Sequence, residues 1–232
     1  MLILGIESAT QQVGCAIGGH EGVIAHFESS KGRRHAETLV PAIDFVRRQA
    51  CIDLSEISVV AVDIGPGLFT GMRVGIATAK AFAHALRVPM IGISSLDLLA
   101  FPVRHTSRVI VTAIDARRGE LFFAFYRQVP GGVQRISDHL LGSPSDLAAE
   151  IEALDHDCLC VGDGALRYRD KLEGRGVEFG EQWLAHPSAG PLVQLAHARA
   201  LREDWVNSWE IEPLYLRKPD AEINWVSRDG KR

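Results

Sequence analysis

The order of sequence patterns in the first half of the chain is repeated in the second half, and this repetition restricts the fold more than any other feature. In the first half, apolar runs predict strands at residues 2–7, 13–17, 22–27 and 57–64, with helices at residues 36–49 and 72–86. The second half repeats the order, with predicted strands at residues 109–114, 120–126, 132–138 and 158–161 and helices at residues 145–154 and 165–172. An acidic residue ends the first strand of each half (Glu7 and Asp115), and glycines follow each fourth strand. The sequence therefore predicts an internal duplication of a β-β-β-α-β-α unit.

Two such units side by side predict an α/β protein with two lobes, each a mixed sheet covered by helices, and a cleft between their first hairpins. This plan resembles the actin-like ATPase superfamily, whose lobes are ribonuclease H-like. The resemblance implies an ATP site in the cleft, with an acidic residue from each hairpin near the metal. We place the N-terminal lobe at residues 1–103 and the C-terminal lobe at residues 104–232. A terminal helix at residues 188–203 should pack back, followed by an extended segment at residues 211–218.

Composition limits the classes of function. The 232 residues are 47% hydrophobic, which is enough for one large domain or two small ones with a buried core. With 25 basic against 29 acidic residues, the net charge of −4 gives no overall attraction to nucleic acid or to an anionic membrane. The opening MLILGIESAT predicts neither a signal peptide nor a membrane span, so we expect a cytoplasmic protein. The four cysteines form no C-x-x-C pair and are expected to be reduced structural thiols.

The glycine-rich segment of residues 65–75, GPGLFTGMRVG, lies between a predicted strand and a predicted helix. Such a turn can direct backbone N–H groups at an anion. A phosphate-binding P-loop, however, requires Lys-Ser or Lys-Thr where Met72 and Arg73 stand, and the glycine spacing is one residue too wide for a dinucleotide fingerprint. We therefore favour the interpretation that the segment shapes the turn that presents the helix to a partner, with an anion site as the alternative.

The two acidic strand ends allow two interpretations. In one interpretation, Glu7 and Asp115 are a pair of carboxylates that would position Mg²⁺. In the other, each bonds to the N–H groups of its own turn, which we favour because no glycines follow Glu7. The arginines Arg117 and Arg118 either contact an anion or a partner carboxylate, or are solvated. The basic loop at residues 31–35 could touch tRNA but is more typical of a solvated loop. The possible nucleotide or anion contacts are Glu7, Thr10, Gly65, Gly67, Asp115 and Arg117.

Four segments, spread over nearly the whole chain, closely resemble the TsaB (YeaZ) family of bacterial tRNA threonylcarbamoyladenosine synthesis. They are IESAT at residues 6–10, the segment of residues 65–75, DARRGE at residues 115–120 and PLYLR at residues 213–217. The family usually has aspartate in place of Glu7 and serine in place of Leu68. The resemblance implies a subunit that does not transfer the threonylcarbamoyl group itself but pairs with its catalytic paralogue TsaD, in an assembly completed by the ATPase TsaE.

The resemblance also bears on cofactors. TsaD-like proteins have two metal-binding histidines four residues apart, and our alignment places Ser95 and Leu99 at those positions. Leucine cannot ligate a metal, so we expect no bound metal. We expect no tightly bound cofactor, and leave weak or interface-shared ATP or ADP open. A metal-dependent hydrolase is excluded because no H-E-x-x-H motif occurs.

Two predicted helices have apolar surface in excess of what covering a sheet requires. Small residues lie on nearly every side of the helix at residues 72–86, and the helix before it has two apolar stripes, one with Leu39 and Ile43 and one with Ala36 and Val40. The alternative is that the two helices simply pack on each other. We predict that they bind TsaD, and that the isolated chain uses the same surface to form a homodimer. The predicted partner-binding residues are His35, Leu39, Ile43, Phe69, Thr70, Met72, Arg73, Ala77, Lys80 and Ala81.

The predicted function is that of a non-catalytic subunit that supports TsaD in modifying the adenosine next to the anticodon of ANN-decoding tRNAs. Contact with tRNA is expected only through the complex. The alternative is a free-standing ATPase or small-molecule kinase with the actin-like fold.

Overall fold

The computed structural model describes residues 1–30 and 35–217, so the basic loop residues 31–34 and the segment from residue 218 onward lie outside the described residues. The first sheet has five strands: β1 (Leu2–Glu7), β2 (Val13–Gly19), β3 (Gly22–Ser29), β4 (Ile57–Asp63) and β5 (Met90–Ile93). Their order across the sheet is β3-β2-β1-β4-β5, with β1 to β3 antiparallel and β4 and β5 parallel to β1.

The second sheet repeats this arrangement. Its strands are β6 (Val109–Arg117), β7 (Glu120–Val129), β8 (Gly132–Arg135), β9 (Leu140–Gly142), β10 (Cys158–Val161) and β11 (Val177–Phe179). The order is β11-β10-β6-β7-β8, and the short β9 pairs with residues 121–123 of β7 on the same edge as β8. The predicted duplication and the two mixed sheets are therefore observed, and each unit gains one parallel strand, β5 or β11, after its predicted last helix.

Helices cover both faces of the first sheet. α1 (His35–Ala50) and α2 (Phe69–Leu86) bury their apolar sides against one face. The other face is covered by α7 (Ala189–Ala200), whose residues Leu192, Val193 and Ala196 recur at helical spacing. The terminal helix thus packs back onto the N-terminal sheet, so this lobe is built from both ends of the chain. The division at residues 103 and 104 stays a prediction.

A short helix between the sheets connects the two lobes. α3 (Ser95–Ala100) packs Leu98 into the core of the first sheet and Leu96 and Leu99 into the core of the second. The outer face of the second sheet is covered by α4 (Pro144–Ala153), α5 (Asp163–Arg167) and α6 (Arg169–Leu172). The single helix predicted at residues 165–172 was wrong in this detail, because Tyr168 leaves helical geometry with φ −107° and ψ 24° and divides it into α5 and α6. None of the helices in the described part of the chain is both long and apolar enough to cross a membrane.

Candidate functional site

The glycine-rich loop between β4 and α2 uses its backbone polar groups within the protein. The Gly65 N–H donates to Asp63 Oδ1 at 2.7 Å, and the Leu68 N–H donates to the Ala9 carbonyl at 2.6 Å. The Gly65 carbonyl accepts from the Ser95 N–H at 2.8 Å. These bonds attach the loop to the first hairpin and to α3. They support the interpretation of the loop as a shaped turn, because two amides that an anion would use are already engaged.

The glycines of this loop allow the first hairpin to approach the backbone closely. A Cβ atom at Gly67 would collide with the Ala9 carbonyl, and one at Gly71 would collide with the Ser8 carbonyl. Gly65 has φ +97°, a conformation that side chains with a Cβ rarely adopt. The spacing of the three glycines therefore follows from packing between the turn of residues 8–10 and the start of α2.

Replacing Gly67 with alanine is expected to lower the free energy of unfolding by roughly 1–3 kcal/mol, because the obstructing Ala9 carbonyl is a backbone atom that cannot rotate away. Urea denaturation of the purified protein measures this change. Gly132→Ala is the matched control, since no atom lies near a Cβ placed there. Equal stability of the two variants would contradict this account of the loop.

The cleft between the two first hairpins is closed. Residues of both lobes surround a space of about 10 Å³, lined by Ala9, Thr10, Gln11, Leu68, Ile114, Asp115, Arg117 and Asp163. A space of this size holds about one water molecule. This space between the described residues of the two hairpins is too small for a phosphate group.

Asp115 lies at this cleft as the centre of an ionic cluster. Its Oδ2 accepts from Arg117 at 3.1 Å and from Arg167 at 3.0 Å, and its Oδ1 accepts from the Arg117 N–H at 2.9 Å. The Asp115 N–H donates to Asp163 Oδ1, and burial raises the pKa of Asp163. Burial lowers the pKa of the neighbouring His186. The Asp115 carboxylate therefore bonds to its own turn and to two guanidinium groups.

A larger cavity opens next to the closed cleft, with a volume of about 410 Å³. Its wall includes the start of α2, the β6–β7 hairpin and the segment of residues 214–217. At its edge the Arg73 guanidinium lies 3.7 Å from the centre of the Phe69 ring and its Nε donates to the Tyr215 hydroxyl at 2.9 Å. The Phe69 and Tyr215 rings stack with their centres 5.5 Å apart. Through Tyr215, the PLYLR motif at residues 213–217 thus packs against the beginning of α2.

The structure brings together only part of the predicted anion site. Gly67 and Asp115 line the cavity together with Arg117. Glu7, Thr10 and Gly65 are buried and do not line this cavity, but Thr10 lies with Asp115 and Arg117 at the closed cleft. The interpretation of Glu7 and Asp115 as a joint Mg²⁺ site stays a prediction, and the structure places a different carboxyl group beside Glu7.

That neighbouring group is Asp63, which the sequence analysis did not single out. The parallel register that pairs Ile6 with Val62 places Glu7 and Asp63 side by side at the ends of β1 and β4. Both are buried, and Glu7 Oε2 and Asp63 Oδ2 have no hydrogen-bond partner among the described residues. Burial, followed by the charge of Asp63, raises the pKa of Glu7 well above its usual value, and burial raises the pKa of Asp63 to about 7. The signal in the sequence was an acidic residue at the end of each of two strands, β1 and β4, that are neighbours in the first sheet.

The predicted partner-binding residues divide into buried and exposed groups. The interpretation of Leu39 and Ile43 as a free stripe was wrong, because both are buried in the core of the first sheet. Met72 is also buried, and His35 is buried with its Nε2–H donating to the Thr10 carbonyl at 3.0 Å. The exposed members all lie on α2: Phe69, Thr70, Arg73, Ala77 and Ala81, with Lys80 half-buried. On α1 the exposed apolar residues are instead Val40 and Phe45.

The two positions aligned with metal-binding histidines have other roles here. Ser95 donates its hydroxyl to Asp63 Oδ1 at 2.6 Å, and Leu99 packs in the core between the lobes. Within residues 1–30 and 35–217, no group of three or more histidine, cysteine, aspartate or glutamate side chains is arranged to hold a metal ion.

Comparison with known families assigns the chain. The family model for TsaD, described as tRNA N6-adenosine threonylcarbamoyltransferase, matches residues 22–225. The chain belongs to the TsaD family. Within it, the TsaB protein of Escherichia coli (strain K12), named for tRNA threonylcarbamoyladenosine biosynthesis, is 28% identical over 234 residues that span 100% of both chains. The resemblance to TsaB is therefore confirmed.

Solved structures agree with this assignment. YeaZ from Pseudomonas aeruginosa superposes with a TM-score of 0.83 at 25% identity, over 93% of this chain and 99% of that chain. A ROK hexokinase from Thermus thermophilus superposes with a TM-score of 0.51 at 11% identity, over 84% of this chain and 98% of that chain. The latter is evidence for the fold alone. The predicted actin-like fold is confirmed for this member of the TsaD family.

Proposed function

We propose that this chain acts in the synthesis of threonylcarbamoyladenosine in tRNA as a non-catalytic partner of TsaD. Membership of the TsaD family and the likeness to E. coli TsaB support a role in this modification. The modified base in the proposal is the adenosine next to the anticodon of ANN-decoding tRNAs. The proposal places the chain in the cytoplasm, with TsaE as a further member of the assembly.

The closed cleft is the observation that carries the non-catalytic role. An active protein of this fold holds nucleotide between the two first hairpins, and here the space between them, lined by Ala9, Thr10 and Leu68 of one lobe and by Asp115 and Arg117 of the other, is about 10 Å³. Asp115 faces two guanidinium groups, which would compete with a metal ion for its oxygens. The chain therefore contributes surface to the assembly, and chemistry comes from the catalytic paralogue.

The surface that we assign to TsaD is the outer side of α2. Ala77 and Ala81 are exposed one turn apart, while Ala79 and Ala83 face the core. Small side chains let a partner helix approach closely, and the exposed Val40 on α1 adds apolar area. Because TsaD is a paralogue, a pseudo-twofold pairing would bring the same two helices of each chain together. The same surface would support a homodimer of the isolated chain, and the two associations would compete.

Depletion of the protein in its own organism tests the proposal. Threonylcarbamoyladenosine in bulk tRNA, measured by mass spectrometry, should fall, and a plasmid copy of the gene should restore it. Unchanged levels after depletion would overturn the proposal.

The net charge of −4 is consistent with tRNA being held through other subunits, so the isolated chain should not retain tRNA on a filter.

ATP is expected to bind the isolated chain weakly or not at all, because the hairpin cleft has no room for phosphates and Glu7 is buried beside Asp63. Isothermal titration calorimetry with Mg²⁺ and ATP is the measurement. Micromolar affinity with Mg²⁺-dependent hydrolysis that Asp115→Ala removes would instead favour a free-standing ATPase or small-molecule kinase.

A further inference from the structure

The cavity of about 410 Å³ beside the closed cleft has the size of a small-molecule site. It lies between the start of α2, the β6–β7 hairpin and the chain segment that follows residue 213. Three separate parts of the sequence thus meet at one concave surface. The small space between the two first hairpins adjoins this cavity and shares Leu68, Asp115 and Arg117 with it.

Apolar side chains form most of the cavity wall. They are Leu68, Phe69, Met72, Phe122, Leu214 and Leu216. Phe69 is held in place by its stacking on Tyr215 and by the Arg73 guanidinium above its ring. The wall therefore offers a fixed, largely apolar surface to a planar or aliphatic group.

The charged groups of the wall are mostly positive. Arg117, Arg118 and Arg217 line the cavity, against Asp115 as the one acidic residue among the lining side chains. Asp115 is bonded to Arg117 and to Arg167, and Arg217 bonds to the Ala116 carbonyl and to Glu120. In a chain whose net charge is −4, this wall concentrates positive charge in a concave place.

The backbone at the hairpin tip presents two of these arginines in an unusual way. Arg117 and Arg118 have φ of +63° and +57°, values at which glycine, asparagine or aspartate is preferred in a tight hairpin. In this conformation the Arg117 guanidinium bonds to Asp115, and the side chains of both arginines line the cavity. Guanidinium groups are suited to carboxylate and phosphate oxygens.

We propose that this cavity binds a small organic anion, with one carboxylate or phosphate group at the arginines and an apolar body against Phe69 and Phe122. A nucleoside triphosphate with Mg²⁺ fits less well, because the carboxylates of Asp115 and Glu120 are already paired with arginines. The site does not require the partner proposed above, so it can be tested on the isolated chain.

The test is a titration of the ¹⁵N-labelled full chain, followed by amide chemical shifts at low salt. The two intact probes are AMP, a phosphate on a planar body, and N-acetylphenylalanine, a carboxylate on a planar body. Inorganic phosphate and acetate test the charged group alone, and adenosine and N-acetylphenylalanine amide test the body alone.

We expect at least one intact probe to saturate, shifting signals of residues 115–122 and 214–217, and its separate parts to bind at least about tenfold more weakly. The probe that saturates identifies the anionic group.

Variants locate the binding. Arg118→Gln should weaken it about tenfold, whereas Arg127→Gln, an exposed arginine farther along β7, should leave it unchanged. If circular dichroism shows that Arg118→Gln is unfolded, Arg117→Gln takes its place. The proposal is overturned if neither intact probe saturates below about 5 mM, if the shifted signals lie elsewhere, or if the folded arginine variant binds like the unchanged protein.

Discussion

Replacing Ala81 with arginine is expected to abolish the capture of TsaD while leaving the chain folded. Ala81 is exposed on the outer side of α2, one turn from Ala77, and arginine is a good helix former, so the monomer should tolerate the change. At a close helix crossing, the same side chain would be a buried charge without a partner. Such a group costs on the order of 3–5 kcal/mol, which corresponds to a loss of more than about a hundredfold in affinity. Co-purification with TsaD of the same organism measures this loss.

The matched control for this experiment is Ala149→Arg, an equivalent change at an exposed alanine of α4 on the other lobe. It should retain TsaD. Light scattering should show that Ala81→Arg also prevents the homodimer, and circular dichroism should show native helix content for both variants. A folded Ala81→Arg protein that still captures TsaD would place the binding surface elsewhere. In that case a normal level of modified tRNA in depleted cells that carry this variant would be expected.

Replacing Glu7 with glutamine is expected to stabilise the protein above pH 7 by roughly 1–3 kcal/mol and to have little effect near pH 4. Glu7 and Asp63 are buried side by side, each with one oxygen that lacks a partner among the described residues. Glutamine keeps the oxygen that accepts from the Ala9 N–H at 2.9 Å and replaces the other with an N–H₂ donor. The buried pair then carries at most one negative charge.

The pH range follows from the direction of the pKa shifts. Burial raises the pKa of Asp63 to about 7 and that of Glu7 well above its usual value, while Glu28 from β3 and Asp97 from α3 add smaller effects in the same direction. In the unfolded chain both carboxyl groups have pKa values of about 4. At pH values between about 4 and the raised pKa values of the folded protein, the folded state therefore binds more protons than the unfolded state. The contribution of the pair to stability is therefore fully present below about pH 4 and is lost as the pH rises through about 7 and above.

Urea denaturation between pH 4 and pH 9 measures this dependence. The unmodified protein should lose stability over the range, and Glu7→Gln should flatten the curve. Glu21→Gln, an exposed position at the β2–β3 turn, is the control and should follow the unmodified protein. If Glu7→Gln destabilises the protein equally at every pH, the raised pKa of Glu7 is not the cause of the loss of stability at high pH.

The duplication made much of the fold predictable from sequence. The six elements of each half have the same order and require two similar sheets. Because the two units lie side by side, Asp115 and Arg117 of the second hairpin come close to Gly67 in the β4–α2 loop. The closed cleft was not predictable in the same way. It depends on how α3 sets the two sheets against each other, and no local pattern in the chain encodes that distance.

The incorrect stripe on α1 has a similar cause. Helical spacing places Leu39 and Ile43 on one side and Ala36 and Val40 on another, and both sides are apolar. Sequence alone does not decide which side meets the sheet. The structure buries the side with the larger side chains, including Val46, and leaves Val40 exposed. On α2, packing likewise buries Ala79 and leaves Ala81 exposed. Because alanine lies on both sides of this helix, its sequence does not indicate which side faces the sheet.

The return of α7 to the first sheet has a consequence for synthesis of the chain on the ribosome. The strand that is made first, β1, has one face covered by α1 and α2, but its other face, with Ile3, waits for α7. The residues up to the end of α7 must therefore emerge before this sheet has both of its layers. Contacts so distant in sequence slow folding and leave apolar surface exposed in the meantime. The second sheet differs, because its strands β6 to β11 and the helices α3 to α6 that cover it are translated in one continuous stretch. Its layers are therefore available soon after its strands are made.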